Sequence, residues 1–411
     1  MKRLRTENLY TLAFISILGL LILLWFLLLF LQGRDSGQFS LFFLRFGDFW
    51  ADMQNVVGYS SQLDPYNNLM YTGLQEKGYP PLAYLLTYLF SRFPDMQVHY
   101  DMNYFLNLYA DPQFLVPWLL FLLLVLLGYY ELIRAGKSGG RGLKVAAALV
   151  FLFSGPMLST LERGNIVLLA GVLCLAYTQL YRSEKPILRE LSLICLALAA
   201  GLKLVPAVLG LLLLRERMWK EAVRAVIYGL ICFFVPFLFF KGGLSNFPLF
   251  LRNTGYMMEA YAHSGGCSIR NLLEYFGSLL HVSIPALSVW IVSLLFAAYF
   301  VYLSFTGKAA WQRLLALTLI IIAVPSFSHG YNVLYLIPAA LLFLNETEHQ
   351  RSDILIVVAL LLIFSPLQTW LNAGGAAMNA GVFFLGVYTV MFPLLEQLQG
   401  KQGSRSEQGS E

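Results

Sequence analysis

Long apolar runs separated by short polar breaks set the pattern of this chain. Residues 9–31 ("LYTLAFISILGLLILLWFLLLFL") are almost uninterrupted. Further runs lie near 114–134, 145–161, 165–181, 190–202, 204–214, 222–240, 284–305, 314–326, 332–344, 354–371 and 376–395. A hydrocarbon core of roughly 30 Å takes about 20 residues of helix. Lipid offers no partner to open backbone groups, so these runs predict membrane helices. The first lacks the short core and small-residue cleavage site of a signal peptide and reads as an uncleaved span. Two segments are exceptional. Residues 187–214 have basic loops on both sides, which predicts two short helices broken at "GLKLVP" (201–206), with Lys203 at the turn and Pro206 favouring the break. "YPPLAYLLTYLF" (79–90) is too short to stand upright across a bilayer, and a full crossing would reverse every later loop. It predicts a re-entrant or steeply tilted helix. The fold class is therefore all-α: a polytopic integral membrane protein with about 10–13 membrane helices, short or re-entrant ones included. Residues 1–398 read as a single transmembrane domain with outer loops 33–113 and 243–283, and 399–411 as a disordered cytoplasmic tail.

Composition agrees with the pattern. Of 411 residues 58% are hydrophobic and only 12% charged, against about 25% charged in soluble domains. The net charge of +5 comes from residues at helix ends and argues for no nucleic-acid partner. Cys174, Cys195 and Cys232 lie in apolar runs and Cys267 in a polar loop; no CxxC occurs, so neither a disulfide framework nor a zinc site is read. The loops at 134–144, 181–189, 215–224, 307–313 and 346–351 are basic or cut the chain between spans. Placing them and both termini inside puts 19 of the 28 Lys and Arg in the cytoplasm. "NET" (345–347) matches a glycosylation sequon but falls inside on this topology, so it reads as chance.

That topology gathers polar residues on the outer side: Asp48, Asp52, Asp64 and Tyr79; "LERGN" (161–165) with Glu162 and Arg163; Lys203; "HSGGCSIRN" (263–271) with Arg270; and "SFSHGYN" (326–332) with His329 and Tyr331. A short helix from Asp48 would put Asp48, Asp52 and Asn55 on one face. Phe49, Met53 and Val56 would form the other, suited to lying on the membrane. A carboxylate there would serve as general base toward a sugar hydroxyl; it would equally cap the helix or favour its dipole. Arg163 would pair with a phosphate or simply snorkel. Lys203, inside an apolar stretch, is costly unless it meets water or an anion. Arg270 is a loop arginine, ordinarily solvated. His329 would donate to a phosphate or sugar hydroxyl, or make a structural hydrogen bond. Cations suit a phosphate leaving group and carboxylates an acceptor hydroxyl, so one base plus cationic stabilisation would suffice.

In order, "GDFWADMQ", "LDPY" (63–66), "YPPLAYLL" (79–86), "RGNIVLLAGVLCLAY" (163–177), "LALAAGLKLVPAVLGLLLLRERMW" (196–219) and "SFSHGYNVLYLIPAALLF" (326–343) resemble the polyprenol-phosphate-dependent glycosyltransferases of the GT-C superfamily. More narrowly they resemble glycosyltransferase family 87, the family of mycobacterial polyprenol-phosphate-mannose-dependent mannosyltransferases, over about residues 10–345. The resemblance implies a GT-C-like fold and an enzyme moving a sugar, such as mannose or another hexose, from a polyprenyl phosphate to a glycan or glycolipid acceptor. Asp48 would be the catalytic base, and His329 would lie near donor phosphate and base. Lys203 matches the Lys of the family's "LKPxP" element, although the first Pro is missing in "LKLVP"; the family's "NQS"-like loop reads "CSIRN", which puts any role of Arg270 in doubt. Substrate contacts would come from Asp52, Tyr79, Glu162, Arg163, Lys203, Arg270, His329 and Tyr331. The expected reaction is a single inverting displacement at the extracytoplasmic face of the cell membrane. No cofactor is required; Asp48 and Asp52 could bind a divalent metal, but nothing indicates one. The rivals are a transporter or flippase of lipid-linked sugars, and a donor-binding protein without catalysis. Transporters place ionisable groups near the midplane and often show inverted repeats; here the candidates gather at one face and no repeat is evident.

Overall fold

A computed structural model describes residues 9–32, 49–67, 77–96, 107–260, 266–347, 349–369 and 377–391. Among these residues every regular element is helical. In chain order they are α1 (Leu9–Gln32), α2 (Ala51–Ser60), α3 (Pro81–Ser91), α4 (Pro112–Gly136), α5 (Arg141–Leu152), α6 (Gly155–Arg163), α7 (Val167–Leu180) and α8 (Pro186–Leu202). There follow α9 (Leu211–Arg215), α10 (Trp219–Phe234), α11 (Phe247–Ala260), α12 (Ile269–Leu279), α13 (Ala286–Thr306), α14 (Ala310–Ala323), α15 (Ile337–Leu344), α16 (Ile354–Phe364) and α17 (Ala377–Met391). Short 3₁₀ turns join several of them, notably Val205–Gly210, Val235–Phe239 and Gly330–Leu336.

Four segments are long and apolar enough to cross a bilayer alone: Leu9–Leu31, Pro112–Gly136, Trp219–Phe239 and Ala286–Thr306. α5 and α6 make a fifth if counted as one span bent by 49°, the bend falling just before Pro156, which opens α6 without needing a donor. The long helices are half-exposed. On α1, Phe14, Leu18 and Trp25 are buried while Leu20, Leu23 and Phe30 face outward. Such continuous exposed hydrocarbon belongs in lipid, so the chain is a polytopic membrane protein. The shorter apolar helices lie inside this belt. α14 is buried from Leu314 to Ala323, as expected of a helix that is apolar all round. α7 and α15 are buried alongside it.

The two ends of the bundle differ. At one end the basic breaks meet. Lys137 donates to the carbonyl of Leu344 (2.9 Å) and to Asn345 Oδ1 (2.8 Å), capping α15. Gln179 binds the Leu132 carbonyl, Arg182 pairs with Glu216, and Trp311 stacks edge-on against Phe343. Asn345 also donates to the Gly136 carbonyl, so the sequon's amide is consumed in packing. The segments grouped as one side by their charge are thus one end of the molecule, and the polar site described below is the other.

Helix 79–90 is α3, 11 residues long and so about 16 Å, half a bilayer core. The break at 201–206 is present: α8 stops at Leu202, Lys203 is extended (φ −145°, ψ 123°), and the chain resumes as 3₁₀ turns at Val205. Some expectations fail. The helix after "GDF" starts at Ala51, not Asp48, because Trp50 is left-handed (φ 54°). Its Met53 and Val56 are buried at 3% and 5% exposure and pack on protein, not on the membrane surface. The segment 243–283 carries α11 and α12, and Cys267, a free thiol, contacts Asn379 Oδ1 at 3.1 Å. The tail 399–411 lies outside the described residues.

Candidate active site

The site is built where four chain breaks meet. Gly164 ends α6 in the left-handed region (φ 63°), a conformation glycine adopts without strain. A Cβ there would stand 3.0 Å from that of Met53 and 3.3 Å from that of Trp50. Glycine therefore lets α2 close onto the end of α6. Trp50 donates its backbone N–H to the Glu162 carbonyl at 2.8 Å, and its ring meets Trp118 edge-on. These contacts hold Trp50 in a conformation uncommon for a bulky residue.

The closure carries Asp52 to Arg163. Arg163 donates from Nε (3.1 Å) and Nη2 (2.6 Å) to Oδ1 of Asp52. Asn165 donates to Oδ2 at 2.6 Å. Asn165 does two tasks: its Oδ1 accepts the Val167 N–H at 3.0 Å, capping α7, while its amide grips Asp52. The same amide lies 3.5 Å from the hydroxyl of Tyr79. Tyr79 is fixed in turn by Tyr66, whose hydroxyl donates to the Tyr79 carbonyl at 2.9 Å. Tyr66 is fully buried among the rings of Tyr84, Phe237, Phe240 and Phe250. "LDPY" is thus a brace for the site's edge.

Lys203 completes the group. Its Nζ lies 4.3 Å from the centroid of the Tyr79 ring and 5.7 Å from that of Tyr331, a two-ring cation–π seat. Burial pushes its pKa down to about 8, with the Asp52 carboxylate acting the other way. His329 stacks edge-on against Phe327 and tilts against Tyr331. Burial lowers its pKa too, opposed by Asp52 and reinforced by Arg163 and Lys203. Burial thus favours the neutral imidazole. The loop at 266–268 docks beside it. Cys267 donates its N–H to the Ser328 carbonyl at 3.0 Å, and a Cβ on Gly266 would stand 2.1 Å from that oxygen.

Beside Lys203 opens a cavity of about 470 Å³. Its walls are largely apolar: Phe250 and Met257 from α11, Val289 and Trp290 from α13, and Val205 and Phe327 from the two breaks. Tyr79, Lys203 and Tyr331 stand at its polar end.

The structure brings together Asp52, Tyr79, Arg163, Lys203, His329 and Tyr331. Glu162 contributes its carbonyl to Trp50. Arg270 opens α12 and turns to Glu274 (2.9 Å) instead of lying in a solvated loop. Asp48 lies outside the described residues. Sequence reading missed Asn165 and Tyr66 as site residues. For Asn165 a signal existed: an Asn immediately before an apolar helix reads as a cap. Nothing local distinguishes Tyr66.

Arg163 and Lys203 both face the Asp52 carboxylate, which takes three hydrogen bonds. Arg163 and Lys203 are cations of the kind that pair with an anion. Asp52→Asn should weaken the pairing that positions Arg163. Loss of hydrogen bonds to a charged partner, about 1.5–3 kcal/mol each, predicts a drop in activity of about tenfold to a hundredfold. Asp52→Glu should recover part of it. Wild-type rates in the Asn variant, measured on protein of normal thermal stability, would show that Asp52 has no positioning role.

An all-helical membrane protein with a cluster of charged and aromatic side chains beside an apolar cavity is the class that fold and site define. The model of glycosyltransferase family 87 matches residues 78–328, more than half the chain, and the chain belongs to that family. It is a glycosyltransferase, which decides against the transporter and the non-catalytic reading. No curated protein and no solved structure matches it.

Proposed function

We propose that the protein moves a sugar, a hexose such as mannose, from a polyprenyl-phosphate donor to a glycan or glycolipid acceptor. The observation that carries this reading is Lys203, a cation on two aromatic rings at the polar end of an apolar cavity. A polyprenyl phosphate has the matching shape, an anion followed by hydrocarbon. The phosphate sits against Lys203 and Arg163, and the first isoprenyl units lie between α11 and α13. Asp48, two residues before Trp50, removes the proton of the acceptor hydroxyl. That oxygen attacks the anomeric carbon, the bond from that carbon to the phosphate oxygen breaks, and the polyprenyl phosphate leaves with the electron pair. One displacement inverts the anomeric centre. Lys203 and Arg163 stabilise the departing charge, and neutral His329 donates a hydrogen bond to it. No metal has a role in this scheme. Asp52, the other acid considered as a ligand, is committed to Arg163 and Asn165. The active site faces the extracytoplasmic side of the cell membrane, and both termini are cytoplasmic.

The test is transfer in reconstituted membranes from a panel of labelled polyprenyl-phosphate sugars to native lipid extract. Label passing from a polyprenyl-phosphate donor into a new product is expected. Transfer from nucleotide sugars alone would overturn the donor assignment. A variant of the cavity wall gives a second check. Ala297→Phe adds a ring on the α13 wall, and should raise the KM for donor several-fold with little change in kcat, because it blocks ground-state seating of the lipid. Equal KM values in the two proteins would remove the lipid from this cavity.

A further inference from the structure

At the basic end three arginines from separate segments lie near one another, two of them on one carboxylate. Arg182 follows α7, Arg215 ends α9, and Arg313 lies in the first turn of α14. Arg182 forms an ion pair with Glu216, and Arg215 Nη1 lies 3.5 Å from the same oxygen. Arg313 is within the field of all three: Arg215 and Arg182 repel it and Glu216 attracts it. Its Nη1 donates to the carbonyls of Gly307 (3.2 Å) and Lys308 (3.0 Å). Arg215 Nε is sealed from solvent and has no hydrogen-bond partner.

Three guanidiniums present about fifteen N–H donors, while one carboxylate offers about four lone-pair sites. The charge left over is two positive units in a half-buried place. Inside-positive topology accounts for basic residues in these loops. It does not account for two guanidiniums on one acid with a third beside them, nor for a buried Nε with no hydrogen-bond partner, which costs free energy unless something binds it. All three are arginine, the planar fork that pairs with phosphate through two bonds. The place is also interfacial. Trp219, four residues after Arg215, is 62% exposed, and α13 displays Tyr302 and Phe305 just before Gly307. Exposed aromatic residues of this kind mark the headgroup level of a bilayer.

We propose that Arg182, Arg215 and Arg313 form a headgroup site for an anionic phospholipid, at the end of the bundle opposite the glycosyltransferase cluster. Glu216 pairs with Arg182 and Arg215 and leaves Arg313 as the principal phosphate donor. Basic pockets between membrane helices on the cytoplasmic side are general receptors for such headgroups. The site does not depend on which sugar or acceptor the enzyme uses.

The experiment is native mass spectrometry of the full-length protein, competing phosphatidylglycerol against phosphatidylcholine of equal chain length, with thermal stability read in parallel. Wild type should retain phosphatidylglycerol preferentially and gain stability from it. Arg313→Gln removes one guanidinium with little packing loss and should weaken that preference about fivefold, the worth of one arginine at an anionic surface. Arg182→Gln serves as the second variant if the first folds poorly. Equal retention of both lipids by wild type, or an undiminished preference in both variants, overturns the proposal. Stabilisation by millimolar inorganic phosphate in zwitterionic detergent, with no further gain from phosphatidylglycerol, would assign the pocket to a free anion and overturn it as a lipid site.

Discussion

Asp48→Asn is expected to lower sugar transfer by about 10²–10⁴-fold, the usual contribution of a positioned general base, while the protein inserts and folds as before. The amide has the size of the carboxyl and cannot take the acceptor's proton. The chain bearing Asp48 is anchored immediately downstream: Trp50 is bound to Glu162, and Asp52 takes three bonds from Arg163 and Asn165. A base acts in the chemical step, so the loss should fall on kcat. Donor KM should hold, because the proposed phosphate contacts are with Lys203 and Arg163. Asp52→Asn makes the contrast. Asp52 is already occupied by donors, and its loss acts through Arg163. Steady-state kinetics on both variants separate base from positioning residue. A kcat in Asp48→Asn within a few-fold of wild type, with normal thermal stability, would remove Asp48 from the chemistry.

The sequence made the helices legible because apolar runs of this length have one solution in lipid. Charge at the run ends ordered them well enough to sort the basic breaks to one end and the candidate residues to the other. The break at Lys203 was legible for a local reason: Pro206 and a buried cation cannot continue an apolar helix. The start of α2 was not, because its N-terminus is set by a tertiary contact. Trp50 takes a left-handed conformation held by the Glu162 carbonyl and Trp118. The same closure overrode the amphipathic reading of Met53 and Val56, which face protein. Arg270 was equally unreadable: its partner Glu274 is local, but only the formation of α12 brings the two together. The role of Tyr66 depends on rings nearly two hundred residues away.

Lys203→Met carries the second large effect. Methionine keeps the apolar stem and loses the charge, so the cavity is preserved while the departing phosphate loses a donor. Removal of one such preorganised donor costs about 10²–10³ in kcat, and that is the expected loss. The pH dependence distinguishes this from a packing defect. Before donor binds, burial holds the pKa of Lys203 down at about 8. A phosphate beside it favours the charged form and raises the pKa in the complex. Between the two values binding takes up a proton, so donor KM rises with pH above about 8, by up to tenfold per unit. Lys203 is faced by Asp52, Arg163, His329, Tyr79 and Tyr331. Arg163 stays charged throughout and the neutral imidazole has already lost its proton, so this limb belongs to Lys203. Asp52→Asn removes the charge that supports the ammonium and should move the limb to lower pH. Lys203→Arg, charged at every accessible pH, should abolish the limb and keep more activity than Lys203→Met. An alkaline limb that survives in Lys203→Arg would assign the titration to another group and leave Lys203 as a structural cation on its two rings.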